Sequence, residues 1–186
     1  VTNYGTTLTL NGKTLKAWSD AGSTITVSGA SNTVLTVSGV GSLTVTSSGE
    51  LTFKADSALA AGTYDVTVGT SNSVAVVDAS AMTSAFTLGT AATLTKLITG
   101  SGADVISVAN AAALTTITTG GGADKITLSS TTLVYQVDAG SDADLVDVTA
   151  NLAASSSITL GAGADTLQIA SGANIGTNAV TVADYS

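Results

Sequence analysis

Gly100-Ser101-Gly102-Ala103-Asp104, Gly120-Gly121-Gly122-Ala123-Asp124, Gly140-Ser141-Asp142-Ala143-Asp144 and Gly161-Ala162-Gly163-Ala164-Asp165 are four versions of one phrase. Their first glycines lie 20, 20 and 21 residues apart. A fixed period of this length marks a solenoid, in which each repeat is one coil stacked on the next. After each Asp the chain alternates. Ile106 and Val108, Ile126 and Leu128, Val146 and Val148, and Leu167 and Ile169 are apolar, and the residue between each pair is polar. That alternation predicts a β-strand with one buried face.

A second strand precedes each glycine. Leu97, Ile117, Val137 and Ile158 stand three residues before it, and Leu94, Leu114 and Val134 stand six before, with Ser155 breaking that column. One coil is therefore a strand, a Gly-Asp turn, a strand and a less regular turn, and about 20 residues hold two short strands and two turns at ~3.3 Å per strand residue. The expected fold class is all-β: a parallel β-solenoid with apolar columns inside, preceded by a different β-rich region.

That preceding region is residues 1–72. It reads as short Thr/Val/Leu strands at closer spacing, and Asn11-Gly12 between alternating segments is a hairpin signal. Leu59-Ala60-Ala61-Gly62-Thr63-Tyr64-Asp65-Val66-Thr67-Val68 resembles the late strand of immunoglobulin-like modules on bacterial surface proteins. A small sandwich and irregular solenoid coils both fit this region. The solenoid is expected over 73–186. Val74, Val77, Phe86 and Leu88 extend its apolar columns one coil back, across a turn at Ser80–Ser84 that has no Gly-x-Gly and no Asp. At the other end, Val180 and Val182 mark a final strand.

Composition narrows the chemistry. The 186 residues carry a net charge of −8, with no His, Cys or Pro. Residues 1–72 are near balance, with Lys13, Lys16 and Lys54 against Asp20, Glu50, Asp56 and Asp65. The remainder sets Lys96 and Lys125 against nine aspartates, so the acidity belongs to the repeats. Such a balance speaks against nucleic acid and anionic membrane surfaces as partners. No run of ~18 apolar residues is present to insert in a membrane. The start at Val1 without Met reads as a processed or excised piece of something longer.

The turns suit a hard cation. Glycine leaves main-chain carbonyls unhindered, and Asp adds an anionic oxygen. Ca²⁺ takes about six to eight oxygens, more than one turn supplies, but two turns stacked at ~4.8 Å can share an ion. Asp104, Asp124, Asp144 and Asp165 are the expected carboxylate ligands. The expected carbonyl ligands are Gly100, Gly102, Ala103, Gly120, Gly122, Ala123, Gly140, Gly161 and Gly163, and Asp142 adds a further acid to the third turn. Without a cation the aspartates would form a column of like charges.

These turns resemble the RTX (haemolysin-type) calcium-binding repeat, Gly-Gly-x-Gly-x-Asp-x-apolar-x. The segments beginning at Gly100, Gly120 and Gly161 match it from its second glycine onward, and the one beginning at Gly140 has Asp142 in place of a glycine. The first motif glycine is Thr99, Thr119, Ala139 or Leu160 here, and the motif returns every 20 residues rather than every nine, which implies one row of calcium sites. Val77–Thr83 and Val182–Ser186 look like phrases of RTX-type surface-layer proteins and large adhesins. The resemblance implies type I secretion, calcium-triggered folding outside the cell, and a structural role at the bacterial surface.

An enzyme is not expected. Imidazole bases, thiolate nucleophiles and His/Cys zinc sites are excluded by composition. Asp138, Asp142, Asp144 and Asp147 form a local acid cluster of the kind that can run glycoside chemistry, but basic and aromatic residues for a sugar are nearly lacking beside it. The expected function is a calcium-stabilised segment of a surface-layer protein that assembles with copies of itself, with cell-surface polysaccharide as a further partner. A rigid module of a secreted RTX adhesin and an accessory module of a polysaccharide-acting enzyme are the alternatives.

Overall fold

The computed structural model of the chain describes residues 7–9, 14–19, 24–28, 33–39, 43–47, 51–55, 62–68, 74–88, 94–108 and 113–181, with side chains described from residue 76 onward. Among these residues, eighteen strands, numbered in chain order, alternate between two parallel nine-stranded sheets. Sheet A holds β1 (Thr7–Thr9), β3 (Thr24–Ser28), β5 (Leu43–Ser47), β7 (Gly62–Val68), β9 (Phe86–Leu88), β11 (Val105–Ser107), β13 (Lys125–Leu128), β15 (Leu145–Val148) and β17 (Thr166–Ile169). Sheet B holds β2 (Thr14–Ser19), β4 (Thr33–Gly39), β6 (Leu51–Ala55), β8 (Val74–Asp78), β10 (Lys96–Ile98), β12 (Thr116–Thr118), β14 (Gln136–Asp138), β16 (Ser157–Thr159) and β18 (Ala179–Thr181). Each strand pairs in parallel with the strand two further along the chain, which makes the fold a β-solenoid.

The register carries the sequence period into space. In sheet A, Val105, Lys125, Leu145 and Thr166 are successive partners. In sheet B, Leu97, Ile117, Val137 and Ile158 are. Alternation then sorts the side chains. Ile106, Ile126 and Val146 stack on one inner column, Val108, Leu128 and Val148 on the next, and the Leu97 column faces them from sheet B; all are buried. Burying each such side chain is worth roughly 1.5–3 kcal/mol. Little of this core is bulky, so β-branched residues fill a narrow interior.

Three expectations change. Thr7–Thr9 and Thr14–Ser19 do not form a hairpin: β1 pairs with β3 and β2 with β4, both in parallel and in different sheets. Asn11 and Gly12 themselves lie outside the described residues. Of the two arrangements open for residues 1–72, the parallel pairing of β7 with β5 and β9 is that of solenoid coils and not of a sandwich, and β6 and β7 pair on to β8 and β9. Strands of a tight hairpin must be antiparallel neighbours, whereas here consecutive strands belong to different sheets.

The second change is a slip at Phe86. Val77 pairs with Leu97, as the 20-residue period requires, but Thr87 pairs with Val105. The connection before β9 is thus two residues longer than the one before β11. Leu88 takes the place facing Ile106, and Phe86 takes the place of the turn Asp. A shift of two keeps every inward residue inward, so alternation alone cannot reveal it. The third change is in the next column, where Tyr135 is fully buried and Val134 is 39% exposed. The Tyr135 hydroxyl accepts the Ser130 N–H at 3.1 Å, and its main-chain N–H donates to Ser156 Oγ at 3.0 Å, so both the phenol and the backbone of this buried residue have partners.

Ile126→Ala should cost about 2–5 kcal/mol in urea denaturation, whereas Lys125→Ala, one residue away and outward, should stay within ~0.5 kcal/mol. Equal costs would contradict the inward assignment of β13.

Candidate metal site

The four turns stack directly. Gly121 N–H donates to Gly100 O at 2.9 Å, Ser141 N–H to Gly120 O at 2.8 Å, and Ala162 N–H to Gly140 O at 2.9 Å. The approach is close enough to demand glycine. Gly140 has φ +94°, and a Cβ there would lie 1.9 Å from Gly120 O. Asp142 stands where the motif has glycine and holds φ +82° without one. Its Oδ2 accepts the Gly122 N–H at 3.0 Å, a bond to the preceding coil that helps hold the strained backbone.

Behind the turns runs a ladder of carboxylates. Asp104 Oδ1 accepts the Phe86 N–H at 2.7 Å. Asp124 Oδ1 accepts the Asp104 N–H at 2.7 Å, Asp144 Oδ1 the Asp124 N–H at 2.9 Å, and Asp165 Oδ1 the Asp144 N–H at 3.0 Å. Each acid therefore holds the main chain of the coil before it. Phe86, displaced into this column, supplies the N–H that begins the ladder. Asp104, Asp124 and Asp144 are at most 2% exposed. Asp165, at the last described turn, is half-buried.

The second oxygen of every one of these acids is unspent. Oδ2 of Asp104, Asp124, Asp144 and Asp165 is buried without a hydrogen-bond partner. Burial raises the pKa of Asp104, and pushes Asp124 up to about 7 and Asp144 up to about 6. Neighbouring acids add to the rise at Asp124 and Asp144, while the accepted N–H bonds oppose it. The hydroxyls of Thr99 and Thr119 lie beside Asp104 and Asp124 and also oppose it. Both hydroxyls donate to carbonyls of the next coil, Thr99 to Thr119 O at 3.0 Å and Thr119 to Ala139 O at 2.8 Å. This is what residues at the first motif position do here in place of glycine.

The structure thus gathers the expected ligands unevenly. The four motif aspartates share one inner column. Gly100, Gly120 and Gly140 offer carbonyls that already accept an N–H from the following turn. Gly100 and Gly102 are buried, Gly122 and Gly161 half-buried, and Ala103, Ala123, Asp142 and Gly163 exposed. The local acid cluster disperses. Asp138 is outward on sheet B, Asp142 lies in the turn, Asp144 points inward, and Asp147 sits on the outer face of sheet A with Oδ1 buried and unpartnered. Among the described residues no three acidic side chains gather around one point. Compared with known families, curated proteins and solved structures, the chain finds no match.

A divalent cation fits this column in charge and burial. A buried anionic oxygen without a donor is costly, by ~1–3 kcal/mol or more, and four in a row repel. Adjacent Oδ2 atoms, Asp104 with Asp124, Asp124 with Asp144, and Asp144 with Asp165, would hold the ion. Main-chain carbonyls would complete a shell that two carboxylates cannot fill.

Two outcomes follow from the ladder. Asp124→Ala strands the buried Asp104 N–H, whereas Asp165→Ala opens a half-buried bond at the edge; the first should cost ~1–3 kcal/mol more than the second in chemical denaturation. The folded-state pKa values of Asp124 and Asp144 lie above the unfolded value, so their contribution is fully present below pH ~4 and lost as pH rises through about 6 and 7. In EDTA the melting temperature should therefore fall between pH 4 and pH 8. A rising or flat profile would show that these acids are not buried as described.

Proposed function

We propose that this chain is a calcium-stabilised structural segment of a bacterial surface-layer protein that assembles with copies of itself outside the cell. The observation that carries the reading is the column of buried, unpartnered Asp Oδ2 atoms behind the stacked turns. Such a column is unfavourable with all its acids ionised and no counter-ion. A bound cation would turn the repulsion between coils into a cross-link. Calcium when bound would supply charge neutralisation and oxygen coordination. The chain's own residues supply the rest: the Asp Oδ1 bonds set the coil spacing, and the turn bonds fix the carbonyls.

Among the described coils the last is the least covered. Leu167 and Val180 are only partly buried and Ile169 is 42% exposed, whereas the column-mates Val108, Leu128 and Val148 are at most 2% exposed. The outer edges of β17 and β18 carry no further strand among the described residues.

Calcium at 100-fold excess over its dissociation constant should add roughly 2.7 kcal/mol per site to the folded state. The test is a melting curve with calcium and with EGTA at pH 7.5, paired with a count of tightly held ions per chain. Stabilisation with a stoichiometry of up to one ion per gap between adjacent aspartates is expected. Identical melting in both buffers and no retained calcium would remove the metal. Electron microscopy of calcium-loaded protein tests assembly separately, and particles that stay monodisperse would remove that part.

A further inference from the structure

The outer face of sheet B carries a second feature, away from the aspartate column. A depression of about 230 Å³ spans β12, β14 and β16. Its walls are Thr116, Thr118, Gln136, Asp138, Ser157 and Thr159, over the buried Ile117 and Val137. The register places these side chains in two columns, Thr116–Gln136–Ser157 and Thr118–Asp138–Thr159. The Gln136 amide is held, with Nε2 donating to Ser155 O at 3.2 Å. The four hydroxyls and the Asp138 carboxylate make no hydrogen bond among the described residues.

We propose that this depression binds a neutral, hydroxyl-rich ligand, one ring of an oligosaccharide at a time. Each hydroxyl both donates and accepts, and a sugar hydroxyl does the same, so the two columns meet such a ligand without leaving a group unpaired. Asp138 accepts from a sugar O–H and the fixed amide of Gln136 offers its oxygen as an acceptor, so recognition rests on hydrogen bonds alone, without the aromatic and basic residues that a glycoside-cleaving cleft uses. No cationic side chain lines the walls, so an anionic ligand would meet only the Asp138 carboxylate and a chain of charge −8. The volume lies below the ~300 Å³ of sites that enclose drug-sized molecules, which limits the contact to about one ring. The columns run along the stack, so a chain of sugars would lie across the strands. This binding does not depend on the cation reading.

Titration calorimetry of the whole chain in calcium buffer, with cellohexaose, maltohexaose and N-acetylchitohexaose as probes, tests the site. At least one should bind with a dissociation constant in the ~mM range or tighter. The double variant Thr118→Val/Thr159→Val and the single variant Asp138→Ala should each weaken it by about tenfold or more. Thr127→Val, outward on sheet A, should leave it unchanged, and melting temperatures should confirm that all three fold. Failure of all three probes, tighter binding of polygalacturonate, or binding that survives the sheet B variants would each overturn the proposal.

Discussion

The hydrogen bond from the main-chain N–H of one coil to the aspartate of the next is the constraint on which the rest depends. A parallel ladder already joins strands within each sheet, but it says nothing about how turns should stack. The Asp Oδ1 contacts do. They repeat four times at 2.7–3.0 Å and link the very residues that begin the sheet A strands. Each contact satisfies a main-chain N–H that burial would otherwise leave unpaired. The ladder therefore pins the turns, the pinned turns fix the register, and the register carries the apolar columns inward. Coils that touch only their neighbours gain stability one interface at a time, so the ladder adds to each interface it crosses between Phe86 and Asp165.

The same ladder creates the charge problem that defines the candidate site. Only one oxygen of each carboxylate is used, and the second is carried into the interior with it. Protonation or a cation can settle the four unspent oxygens, and the two answers pull in opposite directions with pH. The raised pKa values of Asp124 and Asp144 mark the proton solution as the one open to the chain alone. A cation competes with the proton for the same atoms, which makes alkaline conditions the ones where a metal matters most. The Thr99 and Thr119 hydroxyls lie only beside the first two acids of the column, whereas Ala139 and Leu160 occupy the matching places further on. The column is thus graded, polar at one end and apolar at the other.

Much of this was legible in the sequence, because a β-coil writes its geometry in two simple periods. The 20-residue recurrence of Gly-x-Gly-x-Asp gave the coil, and alternation after each Asp gave the buried face; Ile106, Ile126 and Val146 lie where that reading puts them. What alternation hides is any shift by two, and Phe86 is such a case. The extra pair of residues in the turn leaves the inward set intact while moving a phenylalanine onto the aspartate column. Tyr135 was missed for a related reason. Both it and Val134 are hydrophobic enough to fill the column, and the one inside is the one whose hydroxyl reaches the Ser130 N–H. The Asn11-Gly12 signal failed because turn chemistry is local, while the pairing it serves is decided by which sheet the chain enters next.

The inside and outside of the coils answer to different demands. Inward positions are confined by a narrow core and by the carboxylate ladder, and they repeat closely from coil to coil. Outward positions face only water and their column neighbours, so Val105, Lys125, Leu145 and Thr166 can differ freely on sheet A. Hydroxyl, carboxylate and amide groups recur outward on both sheets, as Ser107, Thr127, Asp147 and Gln168 on sheet A, but on sheet B, between β12 and β16, they line a depression. Packing does not require that lining, since a lysine or a valine would fit as well on an open sheet face, as Lys96 and Val76 do in the same column. A polar patch that the core does not need is free to be shaped by what lies outside the molecule.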